Sequence, residues 1–266
     1  MQPYIITETN RGHVPILVSV PHCGTQFPDD IKDNYHQTLI DAPDDTDWYV
    51  DELYNFVAEM GIPMIRAKYS RWVIDLNRDP KSKPLYNDGR IITGLCTTTD
   101  FNGNAIYAKN EPDEEEVNRR VDRYYAPYHS KIQEMLNDIK KEFGKVLLWD
   151  AHSIRQFVPT IQKDKFPDMI LGSADETSAH PALIAAALKG LGTANVELKH
   201  NFPFKGGQIT RSFGMPSKNQ HALQLEMNKI LYMDDKELTY STSRANKVRE
   251  VLKTTFKNLI TTLETL

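Results

Sequence analysis

The chain has 266 residues, with 32 Lys and Arg against 36 Asp and Glu and a formal net charge of −4 at pH 7. That near-balance gives no electrostatic ground for binding DNA or RNA, and 40% hydrophobic residues over this length suit one large domain spanning 1–266, with core enough to need no staples. No apolar stretch approaches the roughly 20 residues of a membrane span, so no membrane partner is expected.

The N-terminus lacks the basic start and apolar core of a signal peptide. The two cysteines, Cys23 and Cys96, are therefore expected as free thiols in a reducing cytoplasm. Two cysteines are too few for a CxxC-type zinc knuckle. Composition leaves self-association open.

The first element is the apolar, β-branched run 16–20, a buried parallel strand that leads straight into Pro21-His22-Cys23-Gly24. Residues 45–60 carry Val50, Leu53, Tyr54 and Val57 at helical spacing and stop before Gly61, a common helix terminator. Short strands are expected at 63–65 and 72–75. The stretch 79–107 is rich in Gly, Pro, Asn and Thr, and a long irregular stretch of this kind is usually functional.

Asn110-Glu-Pro-Asp113 reads as a helix start with Asn as the cap. Its apolar stripe runs from Val117 through Tyr128 to Ile139, and Pro127 is expected to kink or break the helix. A second buried strand at 146–149 runs into Asp150-Ala151-His152-Ser153. Beyond it come strands at 169–171, 195–196 and 222–225, a helix over 181–188, and an amphipathic helix from Ser241 onward. Strands alternating with helices predict an α/β fold around a largely parallel sheet.

In such sheets ligands sit at the carboxyl ends of the strands. His22 and His152 both arrive there, on strands far apart in sequence. Neutral imidazole is the commonest protein metal ligand, so the pair suggests a metal site, with Asp150 placed to orient an imidazole through its second ring nitrogen. A catalytic zinc needs a third protein ligand and one open position. Asp44-Asp45-Thr46-Asp47 offers three carboxylates, more than one helix cap requires, although capping alone explains an acid there.

Asn77-Arg78 brings a carboxamide and a guanidinium suited to gripping a carboxylate. The plain alternative is a surface Arg paired with Asp79. Gly206-Gly207-Gln-Ile-Thr-Arg211 adds a close backbone approach and a second Arg, or simply a turn entering a strand. Glu226, after the apolar run 222–225, is placed to act as a general base, or merely to start a helix. Together these residues describe a hydrolase for a small anionic substrate.

With these motifs in hand, the chain resembles the N-formylglutamate amidohydrolase (formylglutamate deformylase) family. The matching pieces are Val20-Pro-His22-Cys-Gly24, Asp45-Thr-Asp47-Trp48, Tyr69-Ser-Arg71-Trp-Val-Ile-Asp-Leu-Asn-Arg-Asp-Pro80, Gly94-Leu-Cys-Thr-Thr-Thr99, Asp150-Ala-His-Ser153, Phe204-Lys-Gly-Gly-Gln-Ile-Thr-Arg211 and Leu223-Gln-Leu-Glu226. They stand in the family's order over nearly the whole chain.

The resemblance implies a phosphorylase/hydrolase-like, zinc exopeptidase-like three-layer sandwich around a mixed, largely parallel sheet. It implies cleavage of N-formyl-L-glutamate to formate and glutamate, the last step of one histidine-degradation route. It further implies about one Zn²⁺ per chain, with another divalent ion as the alternative, held by His22, Asp47 and His152. Thr25 stands where related zinc carboxypeptidases carry a glutamate ligand, which is why the carboxylate is sought at Asp47.

On the same resemblance Glu226 is the base, Asn77, Arg78 and Arg211 hold substrate carboxylates, and Arg71 binds a carboxylate or polarises the scissile carbonyl. The rival readings are a deacylase of another N-acyl amino acid, a carboxypeptidase-like peptidase, and a catalytically inactive metal- or small-molecule-binding protein.

Overall fold

The computed structural model of the chain describes residues 2–9, 11–81 and 94–266. Seven strands, β1 (Tyr4–Thr7), β2 (Ile16–Val20), β3 (Met64–Ala67), β4 (Val146–Ile154), β5 (Met169–Gly172), β6 (Leu198–His200) and β7 (Gln220–Asn228), form one sheet in the order β1-β3-β2-β4-β7-β5-β6. The four central strands, β3, β2, β4 and β7, run parallel; β1 pairs antiparallel with β3, and β5 antiparallel with β7. The sheet is mixed and largely parallel at its centre, as expected.

Helices cover both faces. They are α1 (Gln37–Ile40), α2 (Val50–Leu53), α3 (Glu114–Arg120), α4 (Ala126–Phe143), α5 (Pro181–Leu191), α6 (Gln208–Phe213) and α7 (Thr242–Thr265). Side chains alternate across a strand, and β4 shows what that does. Leu147, Trp149 and Ala151, with Leu223 and Leu225 of β7, join a core with Leu183 and Ala187 of α5 and Leu252 and Phe256 of α7. Val146 and Leu148, with Ala222, pack on the opposite face against Tyr128 and Ile132 of α4 and Ile209 and Phe213 of α6. The result is a three-layer α/β sandwich. Among the described residues no helix is long and apolar enough to cross a membrane.

On that second face β4 and β7 change character along their length. Leu148 and Ala222 are apolar, whereas Asp150 and His152, and Gln224 and Glu226, follow at the same alternation toward the carboxyl end. The strands are longer than their apolar runs suggest, because parallel pairing continues through the polar residues to Ile154 and Asn228. His152 and Glu226 are therefore held inside a ladder.

Six expectations change. The helix over 45–60 is only α2 followed by a 3₁₀ segment, Asn55–Met60, closed by Gly61 at φ 79°. Its start is given up because Asp47 donates its N–H to the His22 carbonyl at 3.0 Å and Tyr49 turns into the left-handed region at φ 62°. Residues 72–75 form no strand: Trp72 and Val73 lie in a turn, and Trp72, Val73 and Ile74 are buried individually in the α4-side core.

The helix cap expected at Asn110 lies at Asp113, whose carboxylate accepts from Glu116 N at 2.9 Å; Pro112 disfavours helical geometry in the residue before it. Pro127 does not break the helix. A π turn, Val121–Tyr125, joins α3 to α4 just before it. The strand expected near 195–196 falls at β6 instead, and the Gly206-Gly207 turn leads into α6, not a strand. Of the irregular stretch 79–107, residues 82–93 lie outside the described residues, and the rest carries only isolated bridges such as Thr99 to Ala105.

Candidate active site at the carboxyl edge of the sheet

His22 lies two residues past β2, and His152 lies near the end of the neighbouring β4, so adjacent parallel strands bring the two rings to a centroid separation of 4.8 Å. The 43–47 turn swings Asp47 against both. Its Oδ2 is 3.2 Å from His152 Nδ1 and 3.7 Å from His22 Nδ1, and it also accepts the Ser153 N–H at 3.2 Å. All three residues are buried, and their donor atoms lie within 4.8 Å of one another.

The remaining ring nitrogens face carboxylates: His22 Nε2 is 2.8 Å from Asp75 Oδ1, and His152 Nε2 is 3.0 Å from Asp150 Oδ2. Carboxylates in that position fix an imidazole's tautomer and aim its other nitrogen inward.

The other two acids of the 44–47 cluster are committed elsewhere. Asp44 pairs with Arg155. Asp45 accepts from Trp72 Nε1 at 2.8 Å and from Phe101 N at 2.9 Å.

The donor set fits a divalent metal. Tetrahedral bonds of about 2.0–2.1 Å put neighbouring donor atoms about 3.3 Å apart, close to the spacings around Asp47. Inside the site Asp47, Asp75 and Asp150 outnumber the guanidiniums of buried Arg71 and half-buried Arg78. Buried charge is costly unless compensated; a divalent cation between the two imidazoles would compensate it, a part that a proton on His152 takes without one.

The protonation balance follows the same grouping. Burial lowers the His22 pKa, with the Arg71 charge adding to it. At His152 burial also opposes the charged form, but Asp150 and Asp47 outweigh it and hold the pKa well above the ordinary value. For Asp75 burial is overcome by Arg71 and His22, which keep the carboxyl well below its usual range.

Glu226 is the register partner of His152 across the β4–β7 pair. The residue keeps part of its surface open, yet its carboxyl lies deep enough that burial pushes its pKa up to about 8, against the pull of His152. A carboxylate with so weak a hold on its charge is suited to taking and returning a proton.

The N-formylglutamate amidohydrolase model matches residues 14–233. The chain is 38% identical to the N-formylglutamate deformylase of Pseudomonas putida and 40% identical to that of Pseudomonas aeruginosa, in each case over 94% of both chains. The chain belongs to the N-formylglutamate amidohydrolase family. Its fold is similar to the crystal structure of N-formylglutamate amidohydrolase from Ralstonia eutropha JMP134, with a TM-score of 0.81, 25% identity and full coverage of both chains. Like its family it is an amidohydrolase.

The amidohydrolase's remaining candidate residues lie on two segments beside the cluster. Arg71 is buried, donates to Asp75 Oδ2 at 2.6 Å and stacks its guanidinium over the Phe101 ring at 4.9 Å. Arg78 Nε lies 3.7 Å from the same Asp75 oxygen.

Asn77 is tied in from several sides. Its Nδ2 is 3.0 Å from His152 Nε2, and its Oδ1 accepts from Ile209 N at 2.8 Å. A Cβ on Gly207 would come 2.4 Å from Asn77 Nδ2, so only glycine admits this approach. Gln224 fixes the loop from β7 by accepting Gly207 N at 2.8 Å. Arg211 sits on α6, half-buried, with Nε donating to Gly206 O at 2.9 Å.

Asp75 is the residue of this cluster that motif reading passed over, although it stands between Arg71 and Asn77-Arg78. It joins His22 and Arg71 through one carboxylate, and its own main-chain neighbour Asn77 N donates to Oδ1 at 2.9 Å.

Proposed function

We propose that this amidohydrolase cleaves N-formyl-L-glutamate to formate and L-glutamate, using Zn²⁺ held by His22, Asp47 and His152. The observation that carries the reading is the meeting of these three donors beside Glu226, which lies in register with His152. The names of its relatives supply the substrate. Zinc in that position would lower the pKa of water toward about 7 and polarise the formyl oxygen.

Glu226 takes a proton from the water attacking the formyl carbon and returns it to the departing nitrogen, so that formate and an amine leave. Arg71, pinned by Asp75 and Phe101, offers a fixed guanidinium to the oxyanion of the tetrahedral intermediate. Asn77, Arg78 and Arg211 hold the carboxylates of a small anionic substrate. The reading places the enzyme in the cytoplasm, in histidine degradation, and the free thiols of Cys23 and Cys96 suit a reducing compartment.

The test is a substrate panel of formylglutamate, formylaspartate, acetylglutamate and dipeptides, run with elemental analysis. Formylglutamate should show the highest kcat/KM, with about one zinc per chain and loss of turnover on chelation. Preference for an acetyl group or a dipeptide would hand the reading to the deacylase or peptidase alternative. Turnover indifferent to chelators, with no metal bound, would overturn the zinc assignment.

A further inference from the structure

Residues 70–79 carry Arg71, Asp75, Asn77 and Arg78 yet form neither strand nor helix. Buried main-chain carbonyls need partners, and in this segment side chains from elsewhere supply them. Trp72 O accepts from Tyr35 Oη at 3.1 Å, Val73 O from Arg120 Nη1 at 3.0 Å, Leu76 O from His129 Nε2 at 2.8 Å and Arg78 O from Tyr125 Oη at 2.9 Å. Tyr35 is itself held, because its hydroxyl accepts from Arg120 Nη1 at 2.9 Å.

Arg120, Tyr125 and His129 all belong to the continuous helical stretch from α3 to α4, and the π turn Val121–Tyr125 starts directly after Arg120 and ends with Tyr125. In an α-helix residues three or four apart share a face. Arg120 and Tyr125 are five apart, and uniform α winding would set them about 140° apart around the axis. The π turn bonds residues five apart, as in Ala126 N to Val121 O, and so makes such residues neighbours on one face. His129, four beyond Tyr125, then stacks on its ring at 4.0 Å and 14°, with Phe213 of α6 5.7 Å away.

We propose that the π turn is a positioning device: it lines up Arg120, Tyr125 and His129 so that this row holds residues 70–79, and with them Arg71, Asn77 and Arg78, at the depth the substrate carboxylate requires. Arg120 is 1% exposed and its Nε pairs with Glu116 at 2.7 Å, so the row is anchored at its start. The Asp75 N–H, donating to Leu95 O at 2.8 Å, ties the segment on its other side. Tyr125 and His129 are positioning residues: they touch the segment's backbone and act on substrate only through it.

The inference rests on the carboxylate role given above to Asn77 and Arg78, and its test is built to fail separately from that reading. Tyr125→Phe and His129→Leu are compared with wild type for amide hydrogen exchange of residues 70–79, bound metal, and kcat and KM on formylglutamate. Each should speed exchange in 70–79 and raise KM about three- to tenfold, with metal content unchanged and kcat within about twofold. His129→Gln, which keeps an N–H donor, should restore both exchange and KM.

Unchanged exchange in 70–79 would overturn the proposal, as would a fall in kcat at constant KM. A wild-type chain inert toward formylglutamate would instead sink the substrate reading. The exchange of 70–79 would then decide the positioning claim alone.

Discussion

The site is assembled from two regions that meet at one edge of the sheet and are held in different ways. His152 and Glu226 stand on β4 and β7, where parallel pairing from Val146–Gln220 to Ile154–Asn228 fixes their separation. Arg71, Asp75, Asn77 and Arg78 stand on a segment without ladder bonds, whose carbonyls are taken by Tyr35, Arg120, Tyr125 and His129. The strand-borne part matches the demands of proton transfer, where the base must stay within hydrogen-bond reach of the water. The segment-borne part carries the cations proposed to grip substrate, and side-chain anchors hold its backbone in place of a ladder. Asp75 links the two regions by bonding His22 and Arg71 together.

The sharpest way to break this division is at Glu226. Glu226→Gln keeps shape and reach but cannot accept a proton, so kcat should fall by about 10²–10⁴ with zinc and KM nearly unchanged. Wild-type kcat in that variant would remove the strand-borne region from the chemistry.

The link comes next. Asp75→Asn frees His22 from its orienting carboxylate and should weaken metal affinity by about 10–100-fold, measured by chelator competition. Full metal affinity with only a KM change would place Asp75 wholly with the cationic segment.

For the segment itself, Arg78→Ala should raise KM for formylglutamate about tenfold or more while bound zinc stays at wild-type level, since a charge-assisted hydrogen bond contributes roughly 1.5–3 kcal/mol. An unchanged KM would show Arg78 serving only Asp75.

The remaining effect is on stability alone and concerns the anchor row. Burial pushes the His129 pKa down to about 4. The unfolded chain, with an ordinary value near 6.5, therefore binds the proton first, and stability is lost as pH falls from about 6.5 toward about 4. The loss attributable to His129 is at most about 3 kcal/mol. Urea midpoints at pH 7 and pH 4.5 should converge more in His129→Gln than in wild type. Equal drops in the two proteins would mean that His129 is not held neutral by the fold.

Much of the strand-borne region was legible in advance. The apolar runs 16–20 and 146–149 announced buried strands, and His22 and His152 follow them directly. The segment-borne region is less legible: Trp72, Val73 and Ile74 read as a strand because they are as apolar as strand residues, and they are buried like them too. Side-chain donors in place of a ladder leave no local pattern behind.

The acidic cluster shows the same limit. Asp44, Asp45 and Asp47 are equivalent by composition and spacing. Only the fold brings Arg155 to Asp44, Trp72 and Phe101 to Asp45, and both imidazoles to Asp47.

What the sequence determined alone is therefore whatever depends on near neighbours along the chain: which runs are apolar, where Gly61 ends a helical segment, and which polar residues follow a strand. Periodicity and turn chemistry are local, and a local pattern survives in one dimension. The π turn between α3 and α4 and the part played by Asp75 were decided only by tertiary structure, and the same structure brings both imidazoles to Asp47, the carboxylate that the family resemblance had singled out but composition and spacing had not. Each depends on partners brought in from far along the chain: Asp75 lies 53 residues from His22, Asp47 105 from His152, and Arg120 47 from Val73. Burial, charge compensation and the need to satisfy buried carbonyls act on those meetings, and the meetings exist only in the folded chain.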